Sequence, residues 1–505
     1  MISRRRFLEL AARVGTAAAV LPGCRTPVSS TPPSGGADSG DAGRLVNDIH
    51  SQLNATRVRA IHRPTSVDGI QSVIAMAARE QRAVCIAAGR HAMGGQQFAA
   101  GAEMLDMNGL ARVLEFDRAQ GEIEVEAGIQ WPELYAYLTD AQRGEPRPWT
   151  FVQKQTGADR LSIGGALAAN VHGRGLTYAP FVGDVAAFTL VDANGTMRRC
   201  SRTENAELFR LAIGGYGLFG AIASVRLRLA PRHAVRRVVE VIDAADLPAM
   251  FTRRIAEGFQ YGDFQFATDL DSDGLLSRGV LSCYAPTTEV PNAAEARRHL
   301  SGDDWTELLY LAHVDHGAAF ERYAGYYLTT TGQVYWSDEH QMANYVDDYH
   351  AQLGDRLGAY RHGGEMITEI YVPRGALPDF LRDVAADFRA SRAELIYGTV
   401  RLIERDTESF LAWAREPYAC IIFNLHVTPT DAGIAKATQD FRGLIDRGLS
   451  YGGSYYLTYH RWADREQVLA AYPRFPEFLH QKRRFDPDER FQSDWYRHHK
   501  ALIGR

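Results

Sequence analysis

The sequence lacks several patterns on which large protein classes depend. It has five cysteines in 505 residues, and no two of them have the CxxC spacing typical of metal and redox sites. The formal net charge is only −5, which argues against nucleic acid as the main partner. No HExxH motif occurs, and neither heptads nor internal repeats are found, so zincins, coiled coils and solenoids are disfavoured.

The composition is that of an ordinary globular protein with a sizeable core. Hydrophobic residues make up 46% of the chain and charged residues 23%. At this length two domains are the natural expectation. His313-Val314-Asp315-His316 could bind a metal, but a solvated surface turn explains it more simply, and no metal site is predicted.

The N-terminus has the features of an export signal. Residues 3–8 read SRRRFL, which matches the twin-arginine signature, and the apolar stretch after them is too short and too charged to span a bilayer. Leu21-Pro22-Gly23-Cys24 resembles a lipobox with Cys24 as lipid acceptor. We expect a signal over residues 1–24 and a flexible linker over 25–45, with a plain cleaved signal peptide as the alternative. The protein would then be a periplasmic or membrane-anchored lipoprotein that touches the membrane only through its lipid. In an oxidising periplasm, pairing among Cys85, Cys200, Cys283 and Cys420 stays open.

Strand and helix patterns alternate along the chain and predict an α+β protein. Predicted strands are 57–62, 84–88, 113–116, 122–126, 185–191, 197–200, 221–229, 365–372, 399–403 and 451–459. Predicted helices are 66–81, 131–140, 204–213 and 377–391. Asn194-Gly195 between two strands is a strong hairpin-turn signal.

Two glycine-rich segments, residues 89–96 and 162–175, carry most of the functional information. Glycines let backbone N–H groups close around a phosphate-rich ligand, and two segments about seventy residues apart suggest one long ligand gripped from two sides. Both resemble the FAD-binding domain of the vanillyl-alcohol oxidase / p-cresol methylhydroxylase (PCMH-type) family. The resemblance implies a two-subdomain FAD-binding domain at 46–232 and a substrate (cap) domain at 233–445, built on an antiparallel sheet with flanking helices. A C-terminal segment at 446–505 would return to the FAD domain.

The same resemblance implies which residues hold the cofactor. They are Gly89, Arg90, His91, Ala92, Met93, Gly94, Gly95, Gln96, Ser162, Gly164, Gly165, Asn170, His172, Gly173, Asp184 and Ile222. His91 falls where many members bond covalently to the flavin, and a non-covalent hydrogen-bond donor is the alternative. Some relatives attach the flavin a second time through a cysteine before the second glycine segment. No cysteine stands at 158–161, so double attachment is disfavoured.

Gly215-Tyr216-Gly217-Leu218-Phe219-Gly220 spells the GxGxxG dinucleotide motif, but its context is inverted. A Rossmann fingerprint follows a strand and opens a helix. Here a predicted helix precedes and a predicted strand follows, so a Rossmann site is rejected.

Alternation along strand 365–372 places Glu365, Ile367, Glu369 and Tyr371 on one face. The resemblance makes Glu369 and Arg401 candidate catalytic residues, although a buried salt bridge between them explains the pair equally well. Sugar-oxidising relatives often carry a lysine where this chain has Tyr459, beside His460, so both are candidate proton acceptors and polyol specificity is in doubt.

The implied activity is an FAD-dependent oxidation of a CH–OH or CH–NH carbon of a small substrate, which is sugar-like or polyol-like in related enzymes. Oxygen, a quinone or a cytochrome would reoxidise the flavin. The alternatives are a flavin-dependent C=C reductase and a flavin-bearing binding lipoprotein without turnover.

Overall fold

A computed structural model describes residues 43–291, 300–343 and 352–504. The predicted signal, Cys24 and most of the predicted linker lie outside these ranges. The described helices are α1 Val67–Arg79, α2 Trp131–Ala141, α3 Ile163–Ala169, α4 Ala206–Ala212, α5 Leu247–Ala256, α6 Gly302–Val314, α7 His316–Leu328, α8 Leu377–Ser391, α9 Asp431–Ser450, α10 Arg465–Ala471, α11 Phe475–Phe485 and α12 Asp494–Ile503.

The strands form four sheets. They are β1 Arg44–Val46, β2 Thr56–Val58, β3 Ala60–His62, β4 Val84–Ala87, β5 Glu103–Asp106, β6 Val113–Asp117, β7 Glu122–Glu126, β8 Trp149–Phe151, β9 Val185–Val191, β10 Met197–Ser201, β11 Ala221–Pro231, β12 Ala234–Asp243, β13 Tyr261–Phe266, β14 Arg278–Thr287, β15 Val334–Trp336, β16 Gly364–Pro373, β17 Leu395–Ile403, β18 Tyr418–Val427 and β19 Ser454–Tyr455. Short β1 and β2 pair with each other alone.

A small parallel sheet, in the order β3-β5-β4, begins the cofactor-side half of the molecule. Helix α1 covers it with Ile70, Ile74 and Ala77, which form an apolar stripe at helical spacing. Ser66 caps the N-terminus of this helix, and its side chain accepts a hydrogen bond from Gly69 N. The segment around Arg490 joins the same sheet, because Val84 N donates to Arg490 O at 2.6 Å. Phe491 packs in the core below α1.

A six-stranded antiparallel sheet lies next along the chain, in the order β10-β9-β11-β7-β6 with β8 added to β11. The turn between β9 and β10 contains Gly195 at φ +78°, a conformation that glycine adopts without strain. Buried Ile123 and Val125 alternate with glutamates on β7, so one face of the sheet meets the core and the other meets solvent.

An eight-stranded antiparallel sheet forms the second half, in the order β15-β12-β14-β13-β17-β18-β16-β19. Every residue of β18 is buried, and helices α8 and α9 pack on the sheet. One hydrophobic core runs from Ile123 and Val125 of the six-stranded sheet to Ile421 and Leu425 of this one. The ends of β16 and β17 are thereby fixed against the cofactor-side sheets.

Most predicted elements are present, although the predicted strand 57–62 is two strands, β2 and β3, which lie in different sheets. The predicted strand 451–459 is wrong in length, because only Ser454–Tyr455 pair with β16 and the chain then turns toward the glycine segment. His313 is not in a solvated turn: it is 2% exposed and lies 3.6 Å from Glu365. The four described cysteines are free and buried, so the open question of disulfides is answered for them.

A GxSxG sequence does occur, at Gly448-Leu449-Ser450-Tyr451-Gly452. It ends helix α9 instead of joining a strand to a helix, and the Ser450 hydroxyl donates to Arg447 O. This context is not that of a nucleophile elbow. Among the described residues, no helix is both long and apolar enough to cross a membrane.

Candidate active site

A cavity lies between the cofactor-side sheets and strands β16, β17 and β18 of the eight-stranded sheet. Both glycine segments contribute to its walls. Of the predicted cofactor residues, those that line it are Gly89, Arg90, His91, Ala92, Met93, Gln96, Ser162, Gly164, Gly165, His172 and Ile222. Glu369, Arg401 and Tyr459 line the same cavity.

The first glycine segment leaves β4 and places His91 on the cavity wall. A Cβ on Gly89 would lie 2.5 Å from Arg160 O and 2.8 Å from His91 Cδ2, so only glycine fits this crossing. His91 Nδ1 shares a 2.8 Å hydrogen bond with His50 Nε2, while its own Nε2 is buried with no hydrogen-bond partner. Burial, and then the neighbouring His50, lower the pKa of His91 to about 3, so the imidazole is neutral.

The second segment forms helix α3. Ser162 caps it by accepting from Gly165 N at 3.1 Å. A Cβ on Gly164 would lie 2.7 Å from Ala127 Cβ and 2.9 Å from Ala127 O, which shows how closely the helix approaches the end of β7. Gly165, one position on, faces the cavity.

The GxGxxG sequence forms part of the cavity without being a Rossmann site. Helix α4 precedes it and β11 follows, as the sequence predicted. Gly217 and Gly220 line the cavity next to Ile222. Tyr216 does too, and its hydroxyl shares a 3.2 Å hydrogen bond with Thr458 Oγ1.

Five predicted cofactor residues do not line the cavity, and most have a structural role. They are Gly94, Gly95, Asn170, Gly173 and Asp184. Asn170 ends α3, donates to Asp406 Oδ2 at 2.9 Å and accepts from Val182 N at 3.0 Å. Asp184 stands at the start of β9, where burial raises its pKa to about 7.

Glu369 is the centre of a buried hydrogen-bond network on the cavity wall. Its side chain is 1% exposed. Oε1 accepts from Tyr459 Oη at 2.7 Å, and Oε2 accepts from Tyr371 Oη at 2.8 Å. His172 Nε2 lies 2.9 Å from the same Oε2. Burial works to raise the pKa of Glu369, but the charge and hydrogen bond of His172, the hydrogen bond of Tyr459 and the charge of Arg401 outweigh it and hold the pKa at about 2.

Arg401 is buried next to this network without forming an ion pair to it. Within the described ranges, no Arg401 nitrogen lies within 4.0 Å of a Glu369 oxygen, so the alternative of a buried salt bridge is wrong. Arg401 Nε and Nη1 are buried and have no hydrogen-bond partner. Unsatisfied guanidinium groups are costly, so these atoms point to a polar ligand in the cavity.

His460 lies outside the cavity, although Tyr459 next to it lines the wall. His460 Nε2 shares a 3.1 Å hydrogen bond with Thr368 Oγ1, and its ring stacks on Trp462. Successive residues point to opposite sides of an extended chain. Burial lowers the pKa of His460 to about 3.

A second cavity adjoins the first. Ile367, Tyr397, Thr399 and Arg401 line both. Farther along β16, Glu365 lines the second cavity and accepts a hydrogen bond from Asn424. The second cavity therefore has a mixed polar and apolar lining and meets the first at Arg401.

The residues present fit a flavin dinucleotide. Gly89 and Gly164 pack against Arg160 O and Ala127 with no room for a Cβ. The cavity that they line is largely apolar, and buried His91 Nε2 lacks a partner. A model of the FAD-binding domain family matches residues 58–201. Residues 58–201 are an FAD-binding domain. Its cofactor is FAD, and its homologues belong to the FAD-linked oxidase, or PCMH-type, family.

Several curated oxidoreductases resemble this FAD-binding protein. L-gulonolactone oxidase of Bos taurus is 28% identical over 189 residues, 36% of this chain and 41% of that enzyme. Decaprenylphosphoryl-beta-D-ribose oxidase of Mycolicibacterium smegmatis is 22% identical over 416 residues, 80% of this chain and 86% of that enzyme. Cytokinin dehydrogenase 5 of Oryza sativa subsp. japonica is 24% identical over 434 residues, 79% of this chain and 78% of that enzyme. The match to the gulonolactone oxidase thus spans about two fifths of its length.

Sequence reasoning missed several residues of the cavity wall. Residues of the loop after β8 (Gln155, Gly157 and Ala158), together with Tyr216 and Thr458, line it without belonging to a recognisable motif. Tyr216 is the exception, because it stands inside the GxGxxG sequence that was rejected as a Rossmann site.

Proposed function

We propose that this protein is an FAD-dependent oxidoreductase that takes a hydride from a CH–OH or CH–NH carbon of a small substrate. The observation that supports this most directly is the pairing of Tyr459 with ionised Glu369 on the wall of the FAD cavity. Bound FAD supplies the hydride acceptor. The protein has to orient the substrate and remove its O–H or N–H proton.

Tyr459 and Glu369 are suited to remove that proton together. The Tyr459 hydroxyl donates to Glu369 Oε1, so the lone pairs of its oxygen are available to accept from the substrate. Burial, followed by the charge of Glu369, raises the pKa of Tyr459 well above its usual value, so the phenol stays protonated until it receives the substrate proton. Its own proton passes to Glu369 Oε1 in the same step.

Arg401 and the second cavity are suited to bind the substrate. The free guanidinium edge of Arg401 stands where the two cavities meet and can hold a hydroxyl or anionic group. Glu365 and Asn424 supply further polar atoms in the second cavity. A polyhydroxylated substrate of the sugar or polyol kind fits this lining, and oxygen, a quinone or a cytochrome would reoxidise the flavin.

We further propose that His91 bonds covalently to the flavin. Its imidazole is neutral, lines the cavity and has a buried nitrogen with no partner. Export by the twin-arginine route and lipidation at Cys24 complete the proposal and rest on the sequence alone. A covalent bond would prevent loss of the flavin after export.

The visible spectrum of the purified protein tests the cofactor, and an acid-precipitated pellet tests the covalent bond. We expect a flavin spectrum and a yellow pellet that turns white in a His91→Ala variant. A white wild-type pellet refutes the covalent bond alone, whereas a colourless protein that takes up no FAD refutes the proposed function.

Anaerobic stopped-flow bleaching of the flavin with a panel of polyols, aldonolactones and amines tests the chemistry. Tyr459→Phe removes the proton relay and should slow bleaching by about 10²–10⁴-fold. Tyr472→Phe is the matched control, because its buried hydroxyl donates to Tyr455 O and does not line the cavity. Equal slowing in both variants would contradict the role given to Tyr459, and photoreduction without bleaching by any compound would favour a binding protein.

A further inference from the structure

Both ring nitrogens of His172 lie close to oxygen acceptors, and Nε2 also lies 3.5 Å from the Cys420 thiol. Nδ1 lies 3.0 Å from Gly173 O, and Nε2 lies 2.9 Å from Glu369 Oε2. A neutral imidazole has one N–H donor and one acceptor nitrogen, so it cannot donate to both partners. The ring is 1% exposed, and water is therefore no substitute for either contact.

The surroundings of Glu369 favour the carboxylate over the carboxylic acid. Tyr371 and Tyr459 both donate to it, and the Cys420 thiol lies 3.5 Å from Oε2. Hydrogen bonds from several donors stabilise an ionised carboxylate in a buried site.

The side chains that surround His172 come from several packed elements. Glu369 faces it from β16 and Cys420 from β18, and the ring of Trp413 lies 5.2 Å away. Tyr371 donates to Glu369. Tyr459 and Arg401 meet the network through Glu369. The described residues thus give His172 one ionised partner, and that partner has opposite sign.

We propose that His172 is an imidazolium fixed between Gly173 O and Glu369, and that it acts as a positioning residue whose charge keeps Glu369 ionised and ready to receive the proton of Tyr459. The proposal rests on the proposed function for its catalytic meaning, although the charge state itself does not.

The proton and electron balance is simple. The substrate O–H bond breaks and its proton binds the Tyr459 oxygen, while the Tyr459 proton moves to Glu369 Oε1. The electron pair of the substrate C–H bond leaves with its hydrogen as hydride, so the substrate carbon is oxidised and FAD is reduced. His172 keeps both of its protons throughout and changes only its hydrogen-bond strength to Glu369.

Nitrogen NMR of the FAD-loaded protein, labelled with ¹⁵N in its histidine rings, tests the charge state directly. The His172 resonances are assigned by their loss in a His172→Gln variant. We expect two protonated ring nitrogens at pH 7. One unprotonated nitrogen would overturn the proposal, because the imidazole would then be neutral.

Carbon NMR of the glutamate carboxyl groups tests the effect on Glu369, with Glu369→Gln for assignment. In the wild type the Glu369 signal should stay that of a carboxylate down to pH 3. In His172→Gln its pKa should rise by about 1–3, which brings its titration into the range studied. His499→Gln is the matched control, since His499 is another fully buried histidine but bonds to Trp495 O.

An unchanged Glu369 titration in His172→Gln would also overturn the proposal. Neither NMR experiment depends on turnover. Both therefore report the protonation of His172 and Glu369 even if the protein oxidises none of the substrates tested. If the protein oxidises its substrate but His172 carries one proton, the proposed function stands and this inference falls.

Discussion

Gly164 and Gly165 are neighbours in helix α3, yet adding a methyl group should affect them in opposite ways. A Cβ on Gly164 would lie 2.7 Å from Ala127 Cβ and 2.9 Å from Ala127 O. Ala127 cannot easily move away, because its carbonyl oxygen accepts a 2.7 Å hydrogen bond from Gly164 N. A Cβ on Gly165 would meet only the Ser162 hydroxyl, at 2.9 Å, and would otherwise project into the cavity.

The expected magnitudes follow from these contacts. Overpacking against a fixed backbone costs about 1–3 kcal/mol, whereas replacing glycine by alanine inside a helix gains about 1 kcal/mol. Gly164→Ala should therefore lower the free energy of unfolding by up to about 2 kcal/mol. Gly165→Ala should leave it equal or slightly higher. If the cofactor covers Gly165, a similar overlap of about 1–3 kcal/mol weakens FAD binding roughly tenfold to hundredfold.

Both variants are best made in a His91→Ala background, so that the flavin exchanges freely. Urea unfolding of the FAD-free protein gives the stability, and quenching of FAD fluorescence on titration gives the dissociation constant. The reasoning is refuted if Gly165→Ala binds FAD as tightly as its parent, since the second glycine segment would then not contact the cofactor. A Gly164→Ala variant more stable than its parent would refute the packing argument.

Three further predictions concern stability and reactivity. Phe491→Ala should lower the free energy of unfolding by about 3–5 kcal/mol in urea unfolding, because Phe491 is 1% exposed in the core beneath α1; a loss below about 1 kcal/mol would contradict this packing. The depressed pKa of Glu369, about 2 against 4.5, stabilises the folded protein by about 3 kcal/mol above pH 4.5, and this is lost as the pH falls toward 2. In Glu369→Gln the free energy of unfolding should therefore depend less on pH between 4.5 and 2. An unchanged pH dependence would refute the depressed pKa of Glu369. The four described cysteines are buried and free: Cys85, Cys200, Cys283 and Cys420. Their thiols should therefore resist a thiol reagent at pH 8 in the folded protein and react after unfolding.

Much of the fold could be predicted because local signals agreed with tertiary packing. Helix α8 has the predicted bounds Leu377–Ser391, and its apolar residues recur at helical spacing on the buried face. The hairpin of β9 and β10 follows from Asn194-Gly195, whose backbone preference fixes the turn. Both glycine segments were found for the same reason, since a close approach of backbones restricts the residue type.

The parts that could not be predicted depend on contacts between distant segments. Tyr459 and His460 look equivalent in the sequence, but only the chain direction after β19 decides that Tyr459 reaches Glu369 and that His460 packs against Trp462. Asn170 resembles a cofactor ligand by its position, yet its amide is fully used in joining α3 to Asp406 and Val182.

The contact of Arg490 and Phe491 with the parallel sheet bears on how the protein acquires its cofactor. Arg490 Nη1 donates to Ala77 O across 413 positions of sequence, and Phe491 lies beside Val84 in the sheet that leads into His91. During synthesis this sheet therefore has no complete edge until Phe491 has left the ribosome. Long-range contacts of this kind also form slowly. The flavin cradle is thus completed only once Arg490 and Phe491 have joined this sheet, and we expect cofactor loading to follow that contact.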